Sequence, residues 1–110
     1  MGSRIVAVLV LGCWAGMIFA QQPLSRYDCE ANADLAAYLI TISASCGYER
    51  DSKYENLLNS NSKQCIASYG EPLVANASMA GIHAVKAEMQ KVGRSSVCLN
   101  AYDEYREFFK

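Results

Sequence analysis

The sequence predicts an all-α domain: a small up-and-down bundle of four helices stapled by two disulfides. Apolar residues recur at three-and-four spacing in four successive segments, which is the period of one helix face. A glycine follows each of the first three segments, and the connections are short, so consecutive helices are expected to pack antiparallel. Four cysteines follow the N-terminal apolar stretch and can supply the cross-links.

The first predicted helix covers about residues 28–46 and stops at the following glycine. The second covers about residues 51–69, with Asp51 or Ser52 as its N-cap. Its middle, residues 59–62, reads Asn-Ser-Asn-Ser, and these side chains compete for backbone hydrogen bonds. The second helix therefore either continues through this stretch or breaks in it, and a break would raise the number of helices to five.

The third predicted helix covers about residues 72–92 and is rich in small residues, which let neighbouring helices approach closely. Its apolar face is expected to hold Leu73, Ala77, Ala80, Ala84, Met89 and Val92. The fourth helix is predicted to start after an N-cap at Ser95 or Ser96 and to continue to Lys110.

The start of the chain is typical of a secretory signal peptide. One cation, Arg4, precedes an apolar run over residues 5–19, which ends at Ala20 before a polar sequence. That run spans about 15 residues, whereas a membrane-spanning helix needs roughly 20, so an anchor is the weaker alternative. A bacterial lipoprotein, lipidated at Cys13, is another alternative. We expect residues 1–20 to be cleaved off, leaving one disulfide-stabilised domain over residues 21–110 outside the cytosol.

The inferred bundle selects one of the three disulfide pairings that four cysteines allow. Cys29 and Cys46 stand at opposite ends of one helix, roughly 25 Å apart at 1.5 Å per residue, which is far beyond the ~7 Å that a disulfide tolerates between Cα atoms. Cys46 and Cys65 are separated in the same way if the second helix is continuous. The expected bonds are therefore Cys29–Cys65 and Cys46–Cys98.

Composition argues against several function classes. Without its first 20 residues the chain carries nine basic and eleven acidic side chains, and the basic ones are spread singly. A nucleic-acid partner or a strongly anionic membrane surface is therefore not expected. No two of the four cysteines are closer than 17 residues, and His83 is the only histidine, so neither a zinc site nor a redox pair is predicted.

No catalytic grouping is recognisable in the sequence. His83 could act as a base oriented by Glu88 or Asp51, but no nucleophile stands at a known spacing from it. Neighbouring carboxylates on a helix, such as Asp103 and Glu104, point about 100° apart and do not converge on one substrate bond. We therefore expect a protein that is not an enzyme and that holds no cofactor.

Two features remain as candidate sites. The aromatic end of the chain should pack on the bundle through Tyr105 and Phe109, whereas Phe108 points away from that line and could stay exposed as a partner contact. These three residues are the candidate contact site. Asn76 begins an Asn-Ala-Ser sequon and is the candidate glycosylation site.

These observations favour a small secreted or periplasmic interaction protein without enzymatic activity, which binds a macromolecular partner, most simply another protein. The alternative is a carrier that holds a small apolar ligand between its helices, since the small residues of the third helix could leave a cavity. A small hydrolase is the least favoured hypothesis.

Overall fold

The computed structural model describes residues 24–110 and confirms the all-α class, with four helices and two disulfides. The described elements are α1 (Arg26–Cys46), α2 (Ser52–Tyr69), α3 (Glu71–Val92), α4 (Arg94–Glu104) and a short 3-10 turn, η1 (Arg106–Phe108). The expected signal peptide, and the alternatives of a membrane anchor or of lipidation at Cys13, lie outside the described residues. None of the described helices combines the length and the apolar character needed to cross a bilayer.

The ends of α1 and α2 follow the predicted capping signals. Gly47 ends α1 in the left-handed conformation, at φ 74°. Asp51 is the N-cap of α2, where its carboxylate accepts a hydrogen bond from the Lys53 backbone nitrogen at 2.9 Å. α2 continues unbroken through its polar middle, so the described chain has four α-helices and not five.

The predicted start of the last helix is wrong. α4 begins at Arg94, directly after Gly93, and no side chain caps its first turn. Gly93 has φ 90° and ψ 155°, a conformation that other residues rarely adopt, and it reverses the chain between α3 and α4. Ser95 and Ser96 therefore lie inside the helix.

The predicted end of the last helix is also wrong, because α4 stops at Glu104 and the chain turns back through η1. Residues 108–110 then pair with the loop between α1 and α2. The backbone nitrogen of Asp51 donates to the carbonyl oxygen of Phe108 at 2.7 Å, and that of Lys110 donates to Glu49 at 2.8 Å. Leaving the helix brings both Phe108 and Phe109 into the core.

The most extensive helix contact joins α1 to α3. Gly81 of α3 lies against Asp34 of α1, and Tyr38, one turn further along α1, donates a hydrogen bond to Glu88 at 2.8 Å. Residue numbers therefore increase in the same direction along both helices, so α1 and α3 run parallel, while consecutive helices reverse direction as predicted. Gly81 makes this close approach possible because it carries no side chain.

The core consists of two clusters of buried side chains. One lies near the ends of the helices where α4 packs: Leu39, Ile42, Val85, Val97, Ala101, Phe108 and Phe109. The other lies at the opposite end: Cys29, Ala33, Cys65 and Val74. The buried positions of α3 are Val74, Gly81 and Val85, so its inner face is rotated from the predicted one, which placed Ala80 and Val92 inside.

Both predicted disulfides are confirmed. Cys29–Cys65 joins α1 to α2 with a Cα separation of 5.5 Å, and Cys46–Cys98 joins the end of α1 to α4 at 5.7 Å. Cys29–Cys65 thus lies in the cluster that holds Ala33 and Val74, and Cys46–Cys98 lies beside the cluster that holds the two phenylalanines. Each end of the bundle is cross-linked.

Replacing Gly81 with alanine should destabilise the protein, although helix propensity alone favours alanine by about 1 kcal/mol. The added Cβ would overlap the carbonyl oxygen of Asp34 and lie 3.0 Å from the backbone nitrogen of Tyr38. We expect a net loss of about 2 kcal/mol in urea denaturation, because α1 and α3 must move apart. Ala87→Gly, at an exposed position of the same helix, measures the propensity effect as the control; a stabilised Gly81→Ala variant would contradict the close helix contact.

Candidate binding groove

A groove of about 150 Å³ opens between α1, α2 and the C-terminal turn, and we call it the apolar groove. The two helices line it with Leu35, Leu39, Tyr54, Leu57 and Leu58. The C-terminal turn adds Tyr105, Glu107 and Phe108. Only one of these side chains is charged, so the walls suit an apolar group.

The groove stays open because α4 packs on α3 and α1, and only the short turn after it reaches α2. The outer side of α2 therefore keeps apolar side chains in solvent, with Leu57 54% exposed and Tyr54 39% exposed. Apolar residues at these positions fit the helical period equally well for a packed face, so the sequence pattern alone does not reveal that they are exposed. Their exposure follows from where the neighbouring helices end.

A polar network holds α2 against α1 beside the groove. The side-chain amide of Asn32 donates to the carbonyl oxygen of Leu58 at 3.2 Å and to the hydroxyl of Ser62 at 3.3 Å. Asn61 in turn donates to the Asn32 side-chain oxygen at 3.2 Å. Together with the Cys29–Cys65 disulfide, these contacts fix the position of the groove-lining turn of α2.

Two of the three predicted contact residues line the apolar groove, but the expectation of an exposed phenylalanine is not met. Phe108 is only 5% exposed and lies in the groove wall with its ring turned into the core. Tyr105 is half-buried and packs edge-on against Tyr38, with ring centroids 6.0 Å apart. Burial raises the pKa of Tyr105, and the neighbouring Glu104 adds to the shift, so its hydroxyl stays protonated at neutral pH.

The third predicted contact residue, Phe109, lies outside the groove and is also 5% exposed. Its ring centroid is 5.1 Å from that of Tyr48 and 5.4 Å from that of Phe108. Tyr48 is itself held in place, since its hydroxyl donates to the carbonyl oxygen of Cys98 at 2.8 Å. Phe109 therefore belongs to an aromatic cluster that closes this end of the core.

Charge at the mouth of the groove is acidic. Glu107 stands at the rim with its side chain exposed. Glu55 of α2 does not line the groove, and its carboxylate is paired with the Arg50 guanidinium at 3.0 Å. Glu107 therefore supplies the charge that an approaching group meets at this edge.

The residues considered for catalysis are not brought together. His83 is exposed on α3, Glu88 accepts the hydrogen bond of Tyr38, and Asp51 caps α2. Burial raises the pKa of Tyr38, and the hydrogen bond to Glu88 raises it further, so the Tyr38 hydroxyl keeps its proton and acts as the donor. Within residues 24–110, no group of three histidine, cysteine or acidic side chains is arranged to hold a metal ion.

A second, more polar groove of about 500 Å³ lies between the N-terminal halves of α1 and α3, and we call it the α1–α3 groove. Arg26, Tyr27, Glu30 and Asp34 of α1 face Asn76 of α3 across it. The candidate glycosylation residue is thus exposed at the edge of a depression.

No family model, curated protein or solved structure matches this chain. Its function must therefore be inferred from the geometry of its own surface.

Proposed function

We propose that this protein is a non-enzymatic interaction protein that works outside the cytosol and binds a partner protein in the apolar groove. The observation that carries the proposal is the exposure of Leu57 and Tyr54 beside a concave apolar wall on a cross-linked frame. Large apolar side chains gathered at one concave site are typical of protein contacts. Because the frame is rigid, little conformational entropy is lost when a partner binds.

The size of the groove supports one anchoring side chain as its occupant. Its volume is about 150 Å³, and an apolar cavity of about that size accommodates benzene. A phenylalanine side chain, or a leucine of similar bulk, would fill it. Pockets for small-molecule ligands are larger, about 300–1,000 Å³, so the carrier alternative receives less support.

The charge at the rim supports a basic residue next to that anchor. Glu107 is exposed at the mouth of the groove and would pair with a lysine or arginine of the partner. A pair of this kind contributes mainly to the rate and the orientation of docking. The proposed partner segment therefore combines one aromatic or leucine anchor with an adjacent cation.

The two disulfides indicate an oxidising, extracytoplasmic environment. We propose secretion, or export to a periplasm in a bacterial host, with removal of residues 1–20 on the way. The partner would then be another extracytoplasmic protein.

Selection from a random peptide library on the native protein should enrich sequences with phenylalanine or leucine beside lysine or arginine. Leu57→Asp should weaken the selected peptides by at least about 10-fold in Kd, because it places a charge in the apolar wall. Leu99→Asp is the matched control, since Leu99 is 70% exposed on α4 and does not line the groove. Titration of both variants by calorimetry measures the difference.

Equal weakening by the two variants, or selected peptides without an apolar anchor, would contradict the proposed groove. Native mass spectrometry of the secreted protein addresses the alternative. An added small apolar molecule that leaves on denaturation would favour the carrier instead.

A further inference from the structure

Asn76 lies in the second turn of α3 and starts the sequon Asn76-Ala77-Ser78. It is the only such sequon in the sequence. The side chain is exposed, so an attached group can extend into solvent without displacing any core residue. A sequon by itself occurs often by chance, and the surface around this one is what distinguishes it.

The surface next to Asn76 is the α1–α3 groove, which combines an exposed aromatic ring with polar side chains. Tyr27 is 77% exposed, the largest exposure among the large hydrophobic side chains of the described residues. A tyrosine ring offers a flat apolar face on which the C–H face of a sugar can stack. Arg26, Glu30 and Asp34 line the same groove and can exchange hydrogen bonds with sugar hydroxyls.

The groove also has room for more than one sugar ring. Its volume is about 500 Å³, within the range of about 300–1,000 Å³ found for small-molecule sites. Beside Asn76 the α3 side of the groove is formed by Ala77, whose small side chain does not obstruct the groove. A chain of sugars that starts at Asn76 would therefore enter the groove and meet Tyr27 on its far side.

We propose that Asn76 is an N-glycosylation site and that the first sugars of its glycan pack in the α1–α3 groove against Tyr27. The donor is an oligosaccharide linked to a polyprenyl diphosphate, acted on by the transferase of the secretory route. The Asn76 side-chain nitrogen forms a bond to the anomeric carbon of the first sugar, the bond from that carbon to the diphosphate breaks, and the nitrogen loses one proton. Polyprenyl diphosphate leaves.

The disulfides agree with this route. Cys29–Cys65 and Cys46–Cys98 form in an oxidising compartment, and in a cell with an endoplasmic reticulum that compartment also carries out N-glycosylation. The inference does not depend on the proposed binding in the apolar groove, which lies between α1 and α2.

Secretion of the full chain from cultured animal cells tests the modification. Intact mass spectrometry should show one glycan, which treatment with peptide N-glycosidase removes and leaves aspartate at position 76. Asn76→Gln and Ser78→Ala should each abolish it, whereas Ser78→Thr, which keeps the sequon, should retain it. A secreted wild-type chain of unmodified mass would overturn the proposal.

Thermal unfolding with and without enzymatic removal of the glycan tests the packing. The glycosylated protein should have a Tm higher by about 4 °C. Tyr27→Ala should abolish that difference while leaving the Tm of the sugar-free protein unchanged, because the ring is exposed in the absence of sugar. A difference that persists in Tyr27→Ala would overturn the packing against Tyr27.

Discussion

Removing both disulfides should unfold the protein at room temperature. The bonds close loops of 36 and 52 residues. By the loop-entropy relation each contributes about 4 kcal/mol, whereas a small domain has a total stability of only about 5–15 kcal/mol. Far-UV circular dichroism of the protein, with and without a reducing agent, should show loss of most helical signal after reduction.

Each disulfide can also be removed separately. The double variant Cys29→Ser, Cys65→Ser should keep the Cys46–Cys98 bond, and denaturation by guanidinium should give a stability lower by about 4 kcal/mol. The complementary variant, Cys46→Ser with Cys98→Ser, should lose a similar amount. Unchanged stability in either variant, or free thiols on the remaining pair, would contradict the connectivity described here.

Phe109→Ala should cost about 3–5 kcal/mol of stability, the range for removing a buried phenylalanine ring. The ring is 5% exposed and packs against Tyr48 and Phe108, so its loss leaves a cavity in the aromatic cluster. Urea denaturation followed by circular dichroism measures the change. Leu99→Ala, at a position 70% exposed, should stay within about 0.5 kcal/mol of the wild type and serves as the control.

This experiment separates a core residue from an exposed contact. A Phe109→Ala variant with native stability and weaker peptide binding would return Phe109 to the contact surface. If Phe109→Ala loses stability but its folded molecules bind the selected peptides with unchanged affinity, Phe109 is a core residue. Leu57→Asp, by contrast, should lower the affinity for those peptides.

The class of the fold, the approximate limits of the first three helices and the disulfides were predictable from signals along the sequence, whereas both limits of the last helix were not. Glycines at positions 47, 70 and 93 mark the turns, and the 1.5 Å rise of a helix excludes a bond between its two ends. The uninterrupted course of α2 was left open by its polar middle, residues 59–62. In the folded protein, Asn61 and Ser62 of this stretch form hydrogen bonds with the side chain of Asn32 on α1.

The parts that could not be predicted depend on contacts between distant segments. Residues 105–110 contain no glycine or proline that would signal a turn, and the chain leaves the helix where Phe108 and Phe109 enter the core. The parallel contact of α1 with α3 rests on Gly81, which is one small residue among many in that helix. The apolar groove could not be predicted either, because its wall includes Phe108 and its opening depends on where α4 packs.

The parallel contact of α1 with α3 also determines when the native structure can form during synthesis of the chain. Asp34 and Gly81 stand far apart in sequence, and all of α2 separates the two helices, so their pairing must await the synthesis of both. Folding that depends on such distant contacts is slower than in bundles built from neighbouring hairpins. Cys29 and Cys46 precede the other two cysteines in the chain, and once α1 is helical its length keeps this incorrect pair too far apart for a disulfide.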